Sequence, residues 1–218
     1  MPKTANVIGA TGLVGRELVS QLLQHPGVET VRIFVRRKLN WVNPKLEQHQ
    51  VDFDREETWK PFLKGDVLFS TMGTTLKTAG SKENQYRVDY TYQYRFAEEA
   101  SKNGIPAYVL VSSAGADPRS MIFYSRMKGE LDEAVLKLPF RKTVILRPSL
   151  LVGQREKRRW AEVISFKIMD PLTRLFLKKY RPIRSATVAK AMIRAGVEEI
   201  PVNQPIVTLH EIFRLAGE

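Results

Sequence analysis

The feature that most constrains this chain is a glycine trio near its start, Gly9-Ala10-Thr11-Gly12-Leu13-Val14-Gly15. It lies between a short apolar run at 5–9 and a stretch at 13–23 whose apolar residues recur at helical spacing. Gly9 permits a tight turn, Gly12 lets the backbone approach a pyrophosphate, and Gly15 lets the helix pack closely on the strand. The free N–H groups of the first helical turn then face the anion. A strand, this turn and a helix in succession predict a phosphate-binding βα unit.

The alternation continues along the chain. Further strands are predicted at 31–35, 48–53, 66–71, 105–112 and 143–146, with helices across 81–102 and 125–138. Asp54 with Glu57 has the spacing of a capping box opening a short helix. Such alternation predicts an α/β fold: a Rossmann-type, doubly wound, mostly parallel sheet with helices on both faces. After Gly153 the pattern changes, with helices expected at 160–169, 171–179 and 188–198 and a short edge strand at 206–208. The whole chain, 1–218, reads as a single dinucleotide-binding domain. Residues 1–153 form its cofactor-binding core and 154–218 a small C-terminal lobe on the substrate side, over the sheet's carboxyl edge.

Composition narrows the class. Apolar residues at 43% and charged ones at 27% fit a globular chain and exclude a disordered or fibrous one. No apolar run approaches the ~18 residues of a membrane span. Met1-Pro2-Lys3-Thr4 leads straight into the first strand, without the apolar core of a secretory signal. The absence of cysteine excludes disulfides, a thiolate metal site and a cysteine nucleophile, and His25, His49 and His210 are scattered, so no metal site is expected. A reducing, cytoplasmic compartment is the expectation. The net charge of +12 favours an anionic partner, or serves as a solvated basic surface.

The end of the second strand discriminates between cofactors. A site for NAD carries an acidic residue there, bonded to the ribose 2′-hydroxyl. This chain has Val35-Arg36-Arg37-Lys38 instead. Two guanidinium forks suit a 2′-phosphate, so NADP(H) is expected, against the alternative that both arginines are solvated.

Tyr124-Ser125-Arg126-Met127-Lys128 spaces a tyrosine and a lysine four apart, on one side of a helix. Free tyrosine titrates near 10, and a neighbouring ammonium favours its phenolate, the form needed for acid/base work at neutral pH. The pair follows the fifth strand and Ser112-Ser113 at its carboxyl end, the edge where ligands bind in open α/β sheets. The bland alternative is a partly buried tyrosine beside a surface lysine.

Together these residues resemble the short-chain dehydrogenase/reductase superfamily, in its extended or atypical branch. The chain looks like the Tat-interacting-protein (metastasis-suppressor) oxidoreductases and their small bacterial relatives, often labelled nucleoside-diphosphate-sugar epimerases. The likeness rests on the glycine turn, Arg36-Arg37-Lys38-Leu39, Val51-Asp52-Phe53, Gly73-Thr74-Thr75, Ser112-Ser113-Ala114-Gly115-Ala116-Asp117, Tyr124 with Lys128 and Gly129, and Arg147-Pro148-Ser149-Leu150-Leu151. It implies that Thr11, Gly12, Leu13 and Val14 lie against the pyrophosphate, with Arg36 and Arg37 on the 2′-phosphate. Asp52 and Phe53 would border the adenine, and Met72 and Gly73 would pass under the ribose. Tyr124 would donate or accept the proton, while Lys128 holds the nicotinamide ribose and tunes Tyr124. Ser112 or Ser113 would bond the substrate oxygen, with Ser113 preferred, and Ser149, Leu150 and Leu151 would approach the carboxamide. The superfamily also implies pairing of two copies through the helices between the fourth and sixth strands.

The densest charge run is Gln154-Arg155-Glu156-Lys157-Arg158-Arg159-Trp160. It reads as a solvated or oligomer surface, or as an anchor in which Arg155 and Arg158 hold an anionic substrate. A nucleic-acid role is disfavoured, because no recognition module accompanies it. The function expected is an NADPH-dependent oxidoreductase acting on a small-molecule carbonyl or alcohol. The alternatives are a nucleoside-diphosphate-sugar epimerase-like enzyme and a non-catalytic NADPH-binding regulator.

Overall fold

The computed structural model describes residues 2–152, 182–198 and 200–218. The expected helices at 160–169 and 171–179, the basic run and its Arg155 and Arg158 lie outside them. In chain order the first half runs β1 (Lys3–Ile8), α1 (Leu13–Gln24), β2 (Val28–Val35), β3 (Leu46–Gln50), β4 (Val67–Ser70), α2 (Leu76–Ala79), α3 (Lys82–Tyr86), a π-turn (Arg87–Thr91) and α4 (Tyr92–Lys102). Then come β5 (Ala107–Val111), α5 (Phe123–Leu136), β6 (Lys142–Leu146), β7 (Leu151–Val152), β8 (Ile183–Arg184), α6 (Ser185–Gly196), β9 (Ile206–Val207) and α7 (Leu209–Ala216).

The main sheet is parallel throughout, with strands in the order β3-β2-β1-β4-β5-β6-β9. The expected doubly wound architecture holds. Strand periodicity assigns its two faces: in β5, Ala107, Val109 and Val111 enter one buried cluster, and Tyr108 and Leu110 the other. The first cluster is closed by Leu18, Val19 and Leu22 of α1, by Val188, Ala189 and Met192 of α6, and by Ile212 and Leu215 of α7. The second is closed by Phe96, Ala97 and Ala100 of α4 and Leu131 and Val135 of α5, with Trp59 stacked on Phe96 at 3.9 Å between centroids. The chain reverses strand order between β1 and β4, which opens a crevice at their carboxyl ends.

Several expected boundaries move. The third strand ends at Gln50 rather than 53, because Asp52 Oδ1 accepts the Asp54 N–H at 3.0 Å and closes a turn off the sheet. The capping box of Asp54 and Glu57 does not form. Glu57 pairs instead with Arg55 Nε at 2.8 Å, and two 3₁₀ turns, Glu56–Thr58 and Lys60–Phe62, replace the short helix. Pro61, which lacks an N–H, sits in the second. The helix at 81–102 starts as expected, with Ser81 Oγ accepting the Asn84 N–H at 3.1 Å, but its middle widens into the π-turn.

The last helix, α7, was not expected. Thr208 and Glu211 form its capping box, with Glu211 Oε2 accepting the Thr208 N–H at 2.8 Å. Within the expected lobe at 154–218, the residues from Ile183 onward extend the main fold. Strand β9 pairs with β6, and Gly196 of α6 lies so near Phe69 that an added Cβ would sit 2.9 Å from its ring.

Candidate active site and nucleotide cleft

The turn after β1 is held by contacts only glycine tolerates. Gly9 adopts φ +82°, and a Cβ on it would lie 2.5 Å from the Thr71 carbonyl carbon. A Cβ on Gly15 would lie 2.1 Å from the Gly9 carbonyl oxygen. Gly12 differs: a Cβ there would meet only the Gly9 and Thr71 carbonyls, at 3.2 and 3.6 Å, and otherwise open space. Its N–H donates to Gly9 O at 2.9 Å, and the Arg16 N–H donates to Gly12 O at 3.1 Å. The N–H groups of Leu13, Val14 and Gly15 between them belong to the first helical turn, which has no intrahelical acceptor for them. No acidic side chain stands in that turn. The end of α1 is therefore a donor-rich, partially positive site.

Over this turn opens a cleft of about 740 Å³. Of the expected cofactor residues, Gly9, Thr11, Gly12, Arg36, Arg37, Phe53, Met72 and Gly73 line it. Among the described residues, no carboxylate lines it. Leu13, Val14 and Gly15 stand behind the floor in α1, and Val14 is buried in the core. Asp52 is exposed and spends its carboxylate on the turn described above rather than on the cleft. Leu151 pairs β7 with Ile183 of β8 and packs against the core, away from the lining. Thr74, Thr78, Val88 and Tyr92 join the wall without having been expected there.

Tyr124 and Lys128 occupy the first turns of α5. Tyr124 is 39% exposed, and the Lys128 ammonium lies 6.0 Å from its ring centroid. Lys128 itself is 2% exposed, so the reading of it as a surface lysine is excluded. Its Nζ lies 3.0 Å from Asp89 Oδ1, in the π-turn. Burial alone would push the ammonium down, but Asp89, Tyr124 and Asp132 together outweigh it and hold the group above the usual lysine range. Gly129 lets the Asp117–Pro118 backbone lie against α5, where a Cβ would come within 2.2 Å of the Pro118 nitrogen.

At the end of β5, Ser112 is buried and its N–H donates to Leu146 O at 2.8 Å, while Ser113 is the more accessible of the two. Asp132, one turn beyond Lys128, accepts from Arg147 Nε and Nη2, both at 2.8 Å. Burial raises its carboxyl above the ordinary range, against the pull of Ser112, Arg147 and Lys128. Charges thus alternate through the interior, from Asp89 to Lys128 to Asp132 to Arg147.

Sequence reasoning missed Asp89, Asp132 and the roles of Gln85 and Gln93. The signal was present: Gln85, Asp89 and Gln93 repeat every four residues on the face that Phe96 and Ala100 continue into the core. Polar side chains on an apolar stripe mark a buried network.

The profile of a family described as NAD(P)H-binding matches residues 9–195. The chain belongs to that family. Protein FMP52, mitochondrial, of Coccidioides immitis is 35% identical over 218 residues, covering 93% of this chain and 89% of that protein. Counterparts in Emericella nidulans and Candida albicans bear the same name, at 35% and 36% identity. These mitochondrial names overturn the cytoplasmic expectation. Lack of cysteine limits thiol chemistry, but it does not distinguish one reducing compartment from another.

Among solved structures, UDP-glucose 4-epimerase of Thermotoga maritima, with UDP-glucose, superposes with a TM-score of 0.69 at 14% identity, covering 98% of this chain and 81% of that one. WbmH of Bordetella bronchiseptica, in complex with NAD+, gives 0.70 at 15%, covering 95% and 75%. At such identity the likeness is one of fold, and it agrees with an atypical short-chain dehydrogenase/reductase architecture. Among the described residues no helix is long and apolar enough to cross a membrane.

Proposed function

We propose that this protein is an NADP(H)-dependent oxidoreductase that interconverts a small carbonyl compound and its alcohol, and that it shares the mitochondrial location of its named relatives. The observation that carries the reading is the make-up of the cleft: the glycine turn at its floor, Arg36 and Arg37 in its wall, and no carboxylate among the described lining residues. A ribose 2′-hydroxyl would find no acidic acceptor there, whereas a 2′-phosphate would find two guanidinium forks. The amides of the α1 terminus suit the pyrophosphate, and the apolar faces of Phe53 and Tyr92 suit the adenine.

When bound, the reduced nicotinamide supplies the hydride. The chain's residues do the rest. Lys128, fixed by Asp89, holds the cofactor's ribose and sets the field at Tyr124. Tyr124 gives its hydroxyl proton to the substrate oxygen as that oxygen gains charge, and Ser113, with Ser112 behind it, bonds the same oxygen and orients it. Basic side chains from residues 154–160, Arg155 and Arg158 among them, would favour an anionic substrate.

Calorimetric titration with NADPH and then NADH tests the reading. NADPH should bind at least about tenfold more tightly, about 1.4 kcal/mol. Arg36→Ala with Arg37→Ala should abolish that preference while leaving NADH affinity unchanged. Equal loss for both cofactors would refute the 2′-phosphate assignment. Net consumption of NADPH with a carbonyl separates this reading from an epimerase, which regenerates its cofactor each cycle. Tight binding with no turnover on any carbonyl would make the protein a cofactor-dependent regulator.

A further inference from the structure

We infer that Asp89 is a positioning residue that couples the nucleotide cleft to Lys128, and that only a carboxylate can serve there. The inference rests on the cofactor reading above and extends it to a residue outside the Tyr-Lys pair.

The geometry is specific. One oxygen, Oδ2, accepts the backbone N–H of Thr74 at 2.8 Å, and Thr74 is part of the cleft wall. The other, Oδ1, lies 3.0 Å from Lys128 Nζ. Both charged side chains are almost wholly out of water, at 1% and 3% exposure, so neither can exchange its partner for solvent. The same Thr74 peptide is gripped from its other side, where Gln85 Nε2 donates to the Thr74 carbonyl at 3.2 Å. Gly73 packs directly on the Asp89 carboxylate, since a Cβ there would lie 3.5 Å from Oδ1.

Asp89 sits within the π-turn, where the helix widens locally. Gln93 Nε2 donates to the Asp89 carbonyl at 2.7 Å, and Gln93 Oε1 accepts from Ser70 Oγ at 2.6 Å at the end of β4. The Gly73-Thr74 wall and the lysine are thereby joined through one rigid group. Two donors converge on Asp89, and its ionised side chain offers two acceptors. An amide offers one acceptor and one donor, so asparagine must set its NH₂ against either the Thr74 N–H or the ammonium.

The test compares Asp89→Asn with the double variant Asp89→Asn/Lys128→Met. In the cofactor-free protein, hydrogen exchange at the Thr74 amide, read by NMR, should quicken at least tenfold in the single variant. It should return toward the wild-type rate in the double variant, whose amide oxygen is free to face Thr74. Loosening of the fold as a whole would not be reversed by a second core substitution. In parallel, the single variant should bind NADPH at least tenfold more weakly than wild type while binding 2′,5′-ADP within twofold, because in the cofactor reading the adenine half is held by Arg36, Arg37 and Phe53 and the nicotinamide half by Lys128. Unchanged Thr74 exchange, no recovery in the double variant, or equal weakening for both ligands would overturn the inference. If wild type binds neither ligand, the cofactor reading fails, and the Thr74 exchange rates still decide whether Asp89 serves both donors.

Discussion

Tyr124 and Lys128 show how one spacing yields two unlike environments. Both stand on the same side of α5, yet the tyrosine is exposed to solvent and the lysine is buried against a carboxylate. The exposed partner can meet a substrate, and the buried one can act only on what reaches it through the wall. Tyr124→Phe should therefore lower carbonyl turnover by about 10²–10⁴-fold with NADPH affinity within about twofold of wild type, as expected of a proton donor that does not hold the cofactor. Steady-state rates with calorimetry on the same preparations check this, and a variant of wild-type activity would remove Tyr124 from the reaction. The Y-x-x-x-K spacing was legible because a helix places residues four apart side by side. Asp89 was not, since its meaning depends on Thr74 and Lys128, which only folding brings to it.

Among elements, the turn from β1 into α1 separates two uses of glycine. Gly15 serves the fold, because its missing Cβ admits the Gly9 carbonyl, whereas Gly12 faces the cleft. Gly15→Ala should cost about 1–3 kcal/mol, the range of overpacked sites, and show as a lower urea midpoint. Gly12→Ala should keep stability within about 1 kcal/mol of wild type but weaken NADPH binding at least about tenfold. Equal destabilisation by both would show that Gly12 is structural too. These two roles follow from strand-turn-helix order and were readable from spacing alone. The helix after Asp54 was not, because Asp52 captured the turn first and the rival partner, Asp54's own N–H, is a local competitor that pattern cannot rank.

For the molecule as a whole, the aromatic face of the second core sets an alkaline limit. Tyr86 is pushed up to about 12, first by burial and then by Glu130, whose Oε2 accepts its O–H at 3.1 Å. Tyr90, Tyr92, Tyr94 and Tyr108 are raised as well, each chiefly by burial. In the unfolded chain these phenols lose their protons near 10. Between about pH 10 and 12 the native state thus binds more protons than the unfolded one, and stability falls as pH rises. Urea midpoints should drop across that window, and Tyr86→Phe should make the drop shallower. An identical slope in the variant would contradict the assignment.

Period and spacing along the chain were enough for the parallel sheet, the phosphate turn, the arginines after β2 and the helical tyrosine-lysine pair, because each is a short-range consequence of backbone geometry. The burial of Lys128 as a paired cation, the Asp89 bridge, and the packing of α6 on the main sheet arise from contacts between residues far apart in the chain. Burial and electrostatic pairing depend on which surfaces meet, and that is settled when the two faces of the sheet are covered.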